Sequence, residues 1–236
     1  MKSPFRFKEF TISDSQCCMK ISTDAVLLGA FADVTTSSSI LDIGTGSGII
    51  ALMLAQRSDA IIDAVEIDED SEKQASENFA ISKWANQLRL FHDSIQHFAN
   101  SGNQTYDTIV CNPPYFHNQL KSTFQHRNTS KHDTNLSFEE LSVFVKKLLS
   151  DTGHFWVIIP VSEKQHFLNI FANAELFCKK AINIIDNPDK DTIRIIYCFS
   201  KQIPEKTETT LLYIKNRDNS FSNEFIDLTR DFYLNF

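Results

Sequence analysis

Short apolar runs alternate with segments of helical spacing along most of the chain, and this alternation constrains the fold more than any other feature. Six predicted strands follow the pattern, at residues 40–43, 61–67, 88–91, 107–111, 155–159 and 176–185. Predicted helices occupy several of the intervals, at residues 48–57, 70–83, 137–149 and 163–172. Strands that are almost continuously apolar are typical of a parallel sheet that helices cover on both faces.

Both ends of the chain depart from this alternation. Residues 193–200 and 211–215 read as further strands without intervening helices, which predicts an antiparallel hairpin at the sheet edge. A terminal helix is predicted at 224–233, and Thr23 and Asp24 are predicted to cap a short helix at 25–32. We therefore predict a Rossmann-like α/β fold with a mostly parallel, seven-stranded sheet. It forms one domain, with an extension at 1–39, a core at 40–200 and a C-terminal strand and helix at 201–236.

A glycine-rich turn follows the first predicted strand of the core, and Asp42 to Gly48 reads D-x-G-x-G-x-G. Glycines let a backbone bend sharply and approach a ligand closely. Alone the turn is a weak signal, since it could serve a nucleotide or only tight packing, and its spacing differs from the dinucleotide fingerprint G-x-G-x-x-G.

Two acidic residues follow the next two predicted strands. Glu66 ends the second strand, where a carboxylate can accept hydrogen bonds from both hydroxyls of a ribose. Asp93 follows the third strand and could accept a hydrogen bond from an adenine amino group. The alternatives are a solvated acid at position 66 and a turn or cap for residues 95–99 at position 93. If the ligand-binding interpretation is right, both residues face one crevice at the carboxyl edge of the sheet.

The segment Asn112-Pro113-Pro114-Tyr115 follows the fourth predicted strand at the same edge. Two prolines stiffen the turn and remove two backbone donors. The Asn112 side-chain oxygen and the Pro113 carbonyl can accept both hydrogens of one planar amine, and Tyr115 offers a ring for stacking. This pattern predicts transfer to a planar amine by orientation and electrostatics.

These features together resemble the class I S-adenosylmethionine-dependent methyltransferases over residues 40–200. The resemblance implies that Asp42, Gly44 and Gly46 lie along the methionine part of S-adenosylmethionine, Glu66 on its ribose and Asp93 on its adenine. The cofactor site expected from it also includes Gly48, Ile67, Ser94 and Asn112. The catalytic residues expected from it are Asn112, Pro113 and Tyr115.

A narrower resemblance extends over almost the whole chain. Residues 4–8, 19–29, 82–84, 112–116 and 231–234 are similar to the bacterial tRNA1(Val) adenine-37 N6-methyltransferases. It implies N6-methylation of an adenine beside the anticodon of one valine tRNA, with Lys20 and Thr23 covering the methionine end of the cofactor. We expect residues 117–136 to form a lid or an RNA-gripping loop, and the alternative is a disordered connector. The residues expected to contact the substrate are Arg6, Lys8, Phe116, Arg127, Lys131 and His132.

Composition narrows the partners only slightly. The net charge of −7 argues mildly against an RNA partner, because nucleic-acid binders usually carry excess positive charge. The sequence shows no signal peptide or long apolar run, so we expect a cytoplasmic protein without membrane contact. It has no CxxC pair, so we expect no metal. We also expect a monomer without an obligate protein partner. The alternatives are N5-methylation of a protein glutamine, N-methylation of a base in rRNA or DNA, and a cofactor-fold scaffold without catalysis.

Overall fold

A computed structural model describes residues 3–17, 19–113 and 136–236. Within these residues the central sheet has eight strands, in the order β10-β8-β9-β7-β6-β3-β4-β5. Their bounds are β3 (Ser39–Ile43), β4 (Ile61–Glu66), β5 (Leu88–His92), β6 (Tyr106–Cys111), β7 (Leu149–Pro160), β8 (Phe177–Ile185), β9 (Thr192–Ser200) and β10 (Glu208–Tyr213). All neighbouring strands are parallel except β9, which runs antiparallel to both β7 and β8.

Helices cover both faces of this sheet, as predicted. Their bounds are α1 (Thr23–Phe31), α2 (Ile49–Ala55), α3 (Glu69–Ala80), α4 (Ile95–Phe98), α5 (Phe138–Leu148), α6 (Lys164–Asn173) and α7 (Asn223–Thr229). One apolar core joins α1, α2, α3 and α7 to the sheet, and a second core lies on the other face with α4, α5 and α6. Within the described residues, no helix is long and apolar enough to cross a membrane.

The predicted strand count was wrong by one, and the antiparallel hairpin is not at the edge. Strand β10 pairs in parallel with β8, from Glu208 opposite Lys180 to Tyr213 opposite Ile185. Its first four residues are exposed and mostly polar, so the sequence prediction at 211–215 located only the end of this strand. The hairpin β8–β9 therefore lies inside the sheet.

The sequence predicted one helix end correctly and two others wrongly. Ser137 caps α5, and its hydroxyl accepts from the Glu140 amide while the Glu140 carboxylate accepts from the Ser137 amide, which confirms the predicted capping box. The predicted cap of α1 was wrong: Ser22 is the cap, and Thr23 and Asp24 form the first turn. Helix α7 ends at Thr229 rather than 233, because the chain then turns and buries Phe232.

The two ends of the described chain pack against each other. A short hairpin of β1 (Phe5–Arg6) and β2 (Thr11–Ile12) precedes α1. The Phe7 ring stacks on Tyr233, and the Lys8 amide donates to the Phe232 carbonyl at 2.8 Å. The Lys8 ammonium donates to the carbonyls of Arg230 and Phe236 at 2.5 and 2.9 Å. These contacts hold the N-terminal hairpin against the C-terminal segment.

Candidate active site

A cavity of about 330 Å³ opens at the carboxyl ends of β3, β4, β5 and β6. This is the edge where open α/β sheets bind their ligands. The cavity is lined by Met19, Ile43, Gly44, Gly46, Val65, Glu66, Ile67, Asp68, Ser71, Asp93, Ser94, Ile95, Gln96, Cys111, Asn112, Pro113 and Leu136. The structure thus brings together the glycine-rich turn, both strand-end acids and the start of the Asn112 segment.

The glycine-rich turn leaves open space beside the cavity. Gly44 and Gly46 have φ values of +69° and +59°, and a Cβ atom on either would meet nothing within 4 Å. The Gly44 and Thr45 amides donate to the Val65 carbonyl at 2.9 and 3.1 Å. The Gly46 amide donates to Glu66 at 2.8 Å. Because these amides already have acceptors in the protein, they do not offer the pyrophosphate cradle of a dinucleotide fold.

Gly48 lies outside the cavity lining and has a packing role. It precedes α2 with φ +84°, and a Cβ built on it would lie 2.4 Å from Cε1 of Phe79. The left-handed backbone and this contact both require glycine here. Its predicted contact with the cofactor stays a prediction.

We expect Gly48→Ala to lower the free energy of unfolding by about 2 kcal/mol, because a left-handed alanine is strained and its methyl group must displace Phe79. Chemical denaturation of the purified protein measures this. Gly102→Ala is the matched control, since the nearest atom to its Cβ is Oε1 of Gln104 at 3.6 Å. Equal stability of the two variants would contradict the packing role.

Glu66 is buried at the end of β4 and holds two backbone segments. Its Oε2 accepts from the Gly46 amide and its Oε1 from the Asp68 amide, each at 2.8 Å. Each carboxylate oxygen has a second lone pair, so the side chain can still accept hydroxyl groups from the cavity. Its predicted contact with a ribose stays a prediction, and the structure adds that Glu66 orders the turn.

Asp93 lines the cavity beside Glu66 but does not cap α4. Ser94 is the cap, since its hydroxyl accepts from the His97 amide at 3.1 Å. Asp93 accepts from the Ser94 amide at 2.7 Å and lies 2.5 Å from Nδ1 of His97. These contacts fix the carboxylate at the edge of the cavity. The Asp93 amide also donates to the Glu66 carbonyl at 3.0 Å, so the two acids are held next to each other.

Asp42 lies beneath the turn, outside the cavity lining and fully buried. Its Oδ2 accepts from the Thr45 hydroxyl at 2.6 Å, while Oδ1 has no hydrogen-bond partner among the described residues. Burial raises the pKa of Asp42 to about 7, and the Thr45 hydrogen bond opposes that rise. Its predicted contact with the methionine part of the cofactor stays a prediction, because its visible partner is the turn.

The raised pKa of Asp42 makes folding stability depend on pH. The folded protein retains this proton up to about pH 7, whereas the ordinary pKa of an Asp carboxyl is 3.8. The Asp42 contribution to stability is therefore full below about pH 4 and is lost as pH rises through about 7. We expect Asp42→Asn to be more stable than wild type by about 2 kcal/mol at pH 8 and to depend less on pH between 4 and 8. Denaturation at several pH values checks this, and identical profiles for the two proteins would contradict it.

Asn112 and Pro113 follow β6 and line the same cavity as the two acids. Asn112 is half-buried and Pro113 is buried. The adjacent Cys111 also lines the cavity, and burial raises the pKa of its thiol well above the usual range, so it is a neutral group at physiological pH. Residues 114–135 lie outside the described part of the chain. The predictions for the loop within this range, and the roles predicted for Tyr115, Phe116, Arg127, Lys131 and His132, therefore remain untested.

Four of the predicted basic and polar contacts lie away from the cavity. Lys20 and Thr23 are exposed and outside the lining, and the Lys20 ammonium donates to the carbonyls of Asp14, Ser15 and Cys17. Arg6 and Lys8 are in the N-terminal hairpin segment, and the carbonyl partners of Lys8 favour a structural role for it. The roles predicted for all four remain untested.

Several lining residues were missed from the sequence. Some of them neighbour a predicted site residue in the chain, and treating each strand end as a three-residue unit would have included them: Ile43, Val65, Asp68, Ile95 and Cys111. Met19, Ser71, Gln96 and Leu136 come from outside the strand ends. Only the packing of helices and the N-terminal segment on the sheet brings those four to the cavity.

Comparison with known proteins agrees with this geometry. Residues 20–182 match the Methyltransferase small domain family. A protein from Agrobacterium tumefaciens described as a predicted O-methyltransferase has a similar fold, with a TM-score of 0.67, 17% identity and coverage of 89% of this chain and 96% of that chain. A ribosomal protein L11 methylase from Lactobacillus delbrueckii subsp. bulgaricus gives a TM-score of 0.53 at 16% identity, covering 75% and 77%. The fold is that of a class I methyltransferase.

Relatives of higher identity narrow the family. A tRNA1(Val) (adenine(37)-N6)-methyltransferase from Bacteroides fragilis is 42% identical over 236 residues, which is 99% of both chains. The enzyme of the same name from Trichodesmium erythraeum is 42% identical over 98% of both chains. That from Proteus mirabilis is 38% identical over 99% of this chain and 94% of the relative. The chain therefore belongs to the tRNA1(Val) (adenine(37)-N6)-methyltransferase family.

Proposed function

We propose that this protein transfers a methyl group from S-adenosylmethionine to N6 of an adenine in tRNA, at adenine 37 of tRNA1(Val). The observation that carries the proposal is 42% identity over 99% of a relative with that name. The alignment spans the extension, the core and the C-terminal segment together. We propose that residues 1–236 act as a single, monomeric methyltransferase domain in the cytoplasm.

The cavity offers carboxylate acceptors and open space that would suit S-adenosylmethionine. Glu66 would accept hydrogen bonds from its ribose hydroxyls, and Asp93 would accept from its adenine amino group. Gly44 and Gly46 leave room for its methionine part, since nothing lies within 4 Å of a Cβ at either position. When bound, S-adenosylmethionine supplies a methyl group activated on a sulfonium.

The substrate amine would be held by Asn112 and Pro113. The Asn112 side-chain oxygen and the Pro113 carbonyl would accept its two hydrogens, which favours a pyramidal nitrogen whose lone pair is available. Both residues line the same cavity as Glu66 and Asp93, so amine and cofactor would share one space. Catalysis would then rest on orientation and electrostatics, and the proton could leave after methyl transfer.

The adenine would enter this site flipped out of its stack, as enzymes that modify a base generally require. We propose that Tyr115 stacks on the base and that Phe116, Arg127, Lys131, His132 and Arg6 contact the surrounding RNA. The net charge of −7 makes such local basic residues necessary for phosphate binding.

Transfer of a labelled methyl group to separated substrate classes tests the proposal. The purified protein is incubated with labelled S-adenosylmethionine and, in separate reactions, bulk tRNA, rRNA, DNA and a protein extract. We expect label in tRNA. Label in protein alone would favour the glutamine alternative, and label in rRNA or DNA alone would favour the other base substrates. Binding of cofactor without transfer to any class would favour the non-catalytic scaffold.

A further inference from the structure

Three buried polar residues share one face of α3. Ser71, Gln74 and Asn78 are exposed by only 4%, 2% and 2%, and their spacing of three and four residues places them on the same side of the helix. Most polar side chains that are buried at this level are hydrogen-bonded. This face therefore has specific partners, and the pattern of those partners indicates what the face does.

Asn78 joins two separate segments of backbone. Its side-chain nitrogen donates to the Ser13 carbonyl at 2.9 Å and to the Ser47 carbonyl at 2.8 Å. Its side-chain oxygen accepts from the Ser13 amide at 3.0 Å. Both amide hydrogens are thus used, and one side chain ties the N-terminal segment to the glycine-rich turn.

Both of these segments contribute to the cavity. Ser47 belongs to the turn whose Gly44 and Gly46 line it. Ser13 begins the cover segment, defined here as residues 13–17 and 19–22, whose Met19 also lines the cavity. Asn78 itself does not line the cavity, so it acts on the site only through the two segments it holds.

Internal contacts make the cover segment behave as one unit. The Lys20 ammonium donates to the carbonyls of Asp14, Ser15 and Cys17, and the Ile21 amide donates to the Asp14 carboxylate at 3.0 Å. Met19 precedes Lys20 in the chain, so these contacts connect its position to the backbone that follows Ser13. One turn before Asn78, Gln74 adds a second attachment, since its Oε1 accepts from the Ser15 hydroxyl at 3.2 Å and the Gln16 amide at 3.5 Å.

We propose that Asn78 is a positioning residue for the cofactor site, which it preorganises by joining the cover segment to the glycine-rich turn. This inference rests on the proposed function, since it takes the ligand to be S-adenosylmethionine. A site whose two walls are held in place before binding loses less conformational freedom when the ligand enters. Loss of the joint should therefore weaken cofactor binding while leaving the transfer step nearly unchanged at saturating cofactor.

Asn78→Asp tests this with little change in shape. The carboxylate keeps an acceptor for the Ser13 amide but opposes the carbonyls of Ser13 and Ser47, where Asn78 donates. Calorimetric titration with S-adenosylhomocysteine gives the Kd, and steady-state assays on tRNA give kcat and KM. We expect the Kd for S-adenosylhomocysteine and the KM for S-adenosylmethionine to rise about tenfold, with kcat at saturating cofactor within about threefold of wild type.

Gln56→Leu is the control for a purely structural loss. Gln56 also joins two distant segments by a side-chain amide, donating to the Asp231 carbonyl at 2.9 Å, but it lies at the far end of α2 from the turn. We expect this variant to lose stability without a change in the Kd. If Asn78→Asp does not fold, the Kd of Gln74→Leu for S-adenosylhomocysteine tests the positioning role instead. We expect it to rise only about threefold, because the hydrogen bonds of Gln74 to the cover segment are longer than those of Asn78.

The outcomes separate this inference from the proposed function. A wild-type protein that does not bind S-adenosylhomocysteine would overturn the proposed function itself. The positioning role would be overturned if Asn78→Asp kept the wild-type Kd. If Asn78→Asp does not fold, a wild-type Kd in Gln74→Leu would overturn it. A fall in kcat at saturating cofactor equal to the rise in Kd would also overturn it, because Asn78 would then act on the transfer step.

Discussion

Asn112→Ala should depress turnover about 10³-fold and leave the Kd for S-adenosylmethionine within about threefold of wild type. The reason lies in the proposed chemistry. The nitrogen of a planar amine is a poor nucleophile, and Asn112 would supply one of the two acceptors that make its lone pair available. Alanine removes that acceptor while the Pro113 carbonyl remains. The measurements are kcat on tRNA and cofactor Kd by calorimetry.

Asn183→Ala is the matched control for this experiment. Asn183 is a half-buried asparagine on β8 that lies outside the cavity, with its side chain donating weakly to the Thr210 carbonyl at 3.4 Å. We expect its turnover to match that of wild type. An equal loss of cofactor affinity and turnover in Asn112→Ala would place Asn112 on the cofactor rather than on the substrate amine.

Glu66→Gln should weaken cofactor binding about 10²-fold, which is the second large effect that we expect. In the folded protein each carboxylate oxygen faces a backbone amide, from Gly46 and from Asp68. An amide side chain must turn its NH2 group toward one of these donors, so the glycine-rich turn loses an anchor. The same substitution removes an acceptor for the ribose hydroxyls. Titration with S-adenosylhomocysteine measures the combined loss.

Glu66→Gln removes a negative charge as well as hydrogen bonds, and the effect of the charge alone needs its own control. Glu72→Gln serves this purpose, because Glu72 lies in the first turn of α3 but outside the cavity lining. We expect its Kd to stay within about twofold of wild type, since a partly exposed charge outside the cavity lining is screened by solvent. Equal Kd values for the two variants would mean that Glu66 has no specific role in cofactor binding.

The sequence predicted the central strands well because each is a short, nearly continuous apolar run. The first half of β10 was missed by the prediction at 211–215, since this strand begins with exposed residues and is stabilised by pairing with β8. The capping box of α5 is a local pattern, and it was predicted correctly. The cap of α1 is also local, but Ser22, Thr23 and Asp24 are all good caps, and the local sequence could not choose among them.

The residues of the candidate site were also predicted only in part. The turn, the two acids and Asn112 follow predicted strands, and parallel strands bring their carboxyl ends to one edge. The approach of Met19 and the joint made by Asn78 depend on contacts between residues far apart in the chain. No periodicity in the sequence indicates such contacts. The structure also separates residues that form one motif in the sequence, since Gly44 and Gly46 line the cavity whereas Gly48 packs on Phe79 and Asp42 holds Thr45.

The central claim is the identity of the methylated atom, and nucleoside analysis of a single tRNA tests it most directly. Unmodified tRNA1(Val) transcript is incubated with the protein and S-adenosylmethionine, digested, and analysed by mass spectrometry beside a transcript that carries guanine at position 37. We predict N6-methyladenosine from the first transcript, located at position 37, and none from the second. Equal methylation of both transcripts, or a methyl group on another atom or position, would contradict the account.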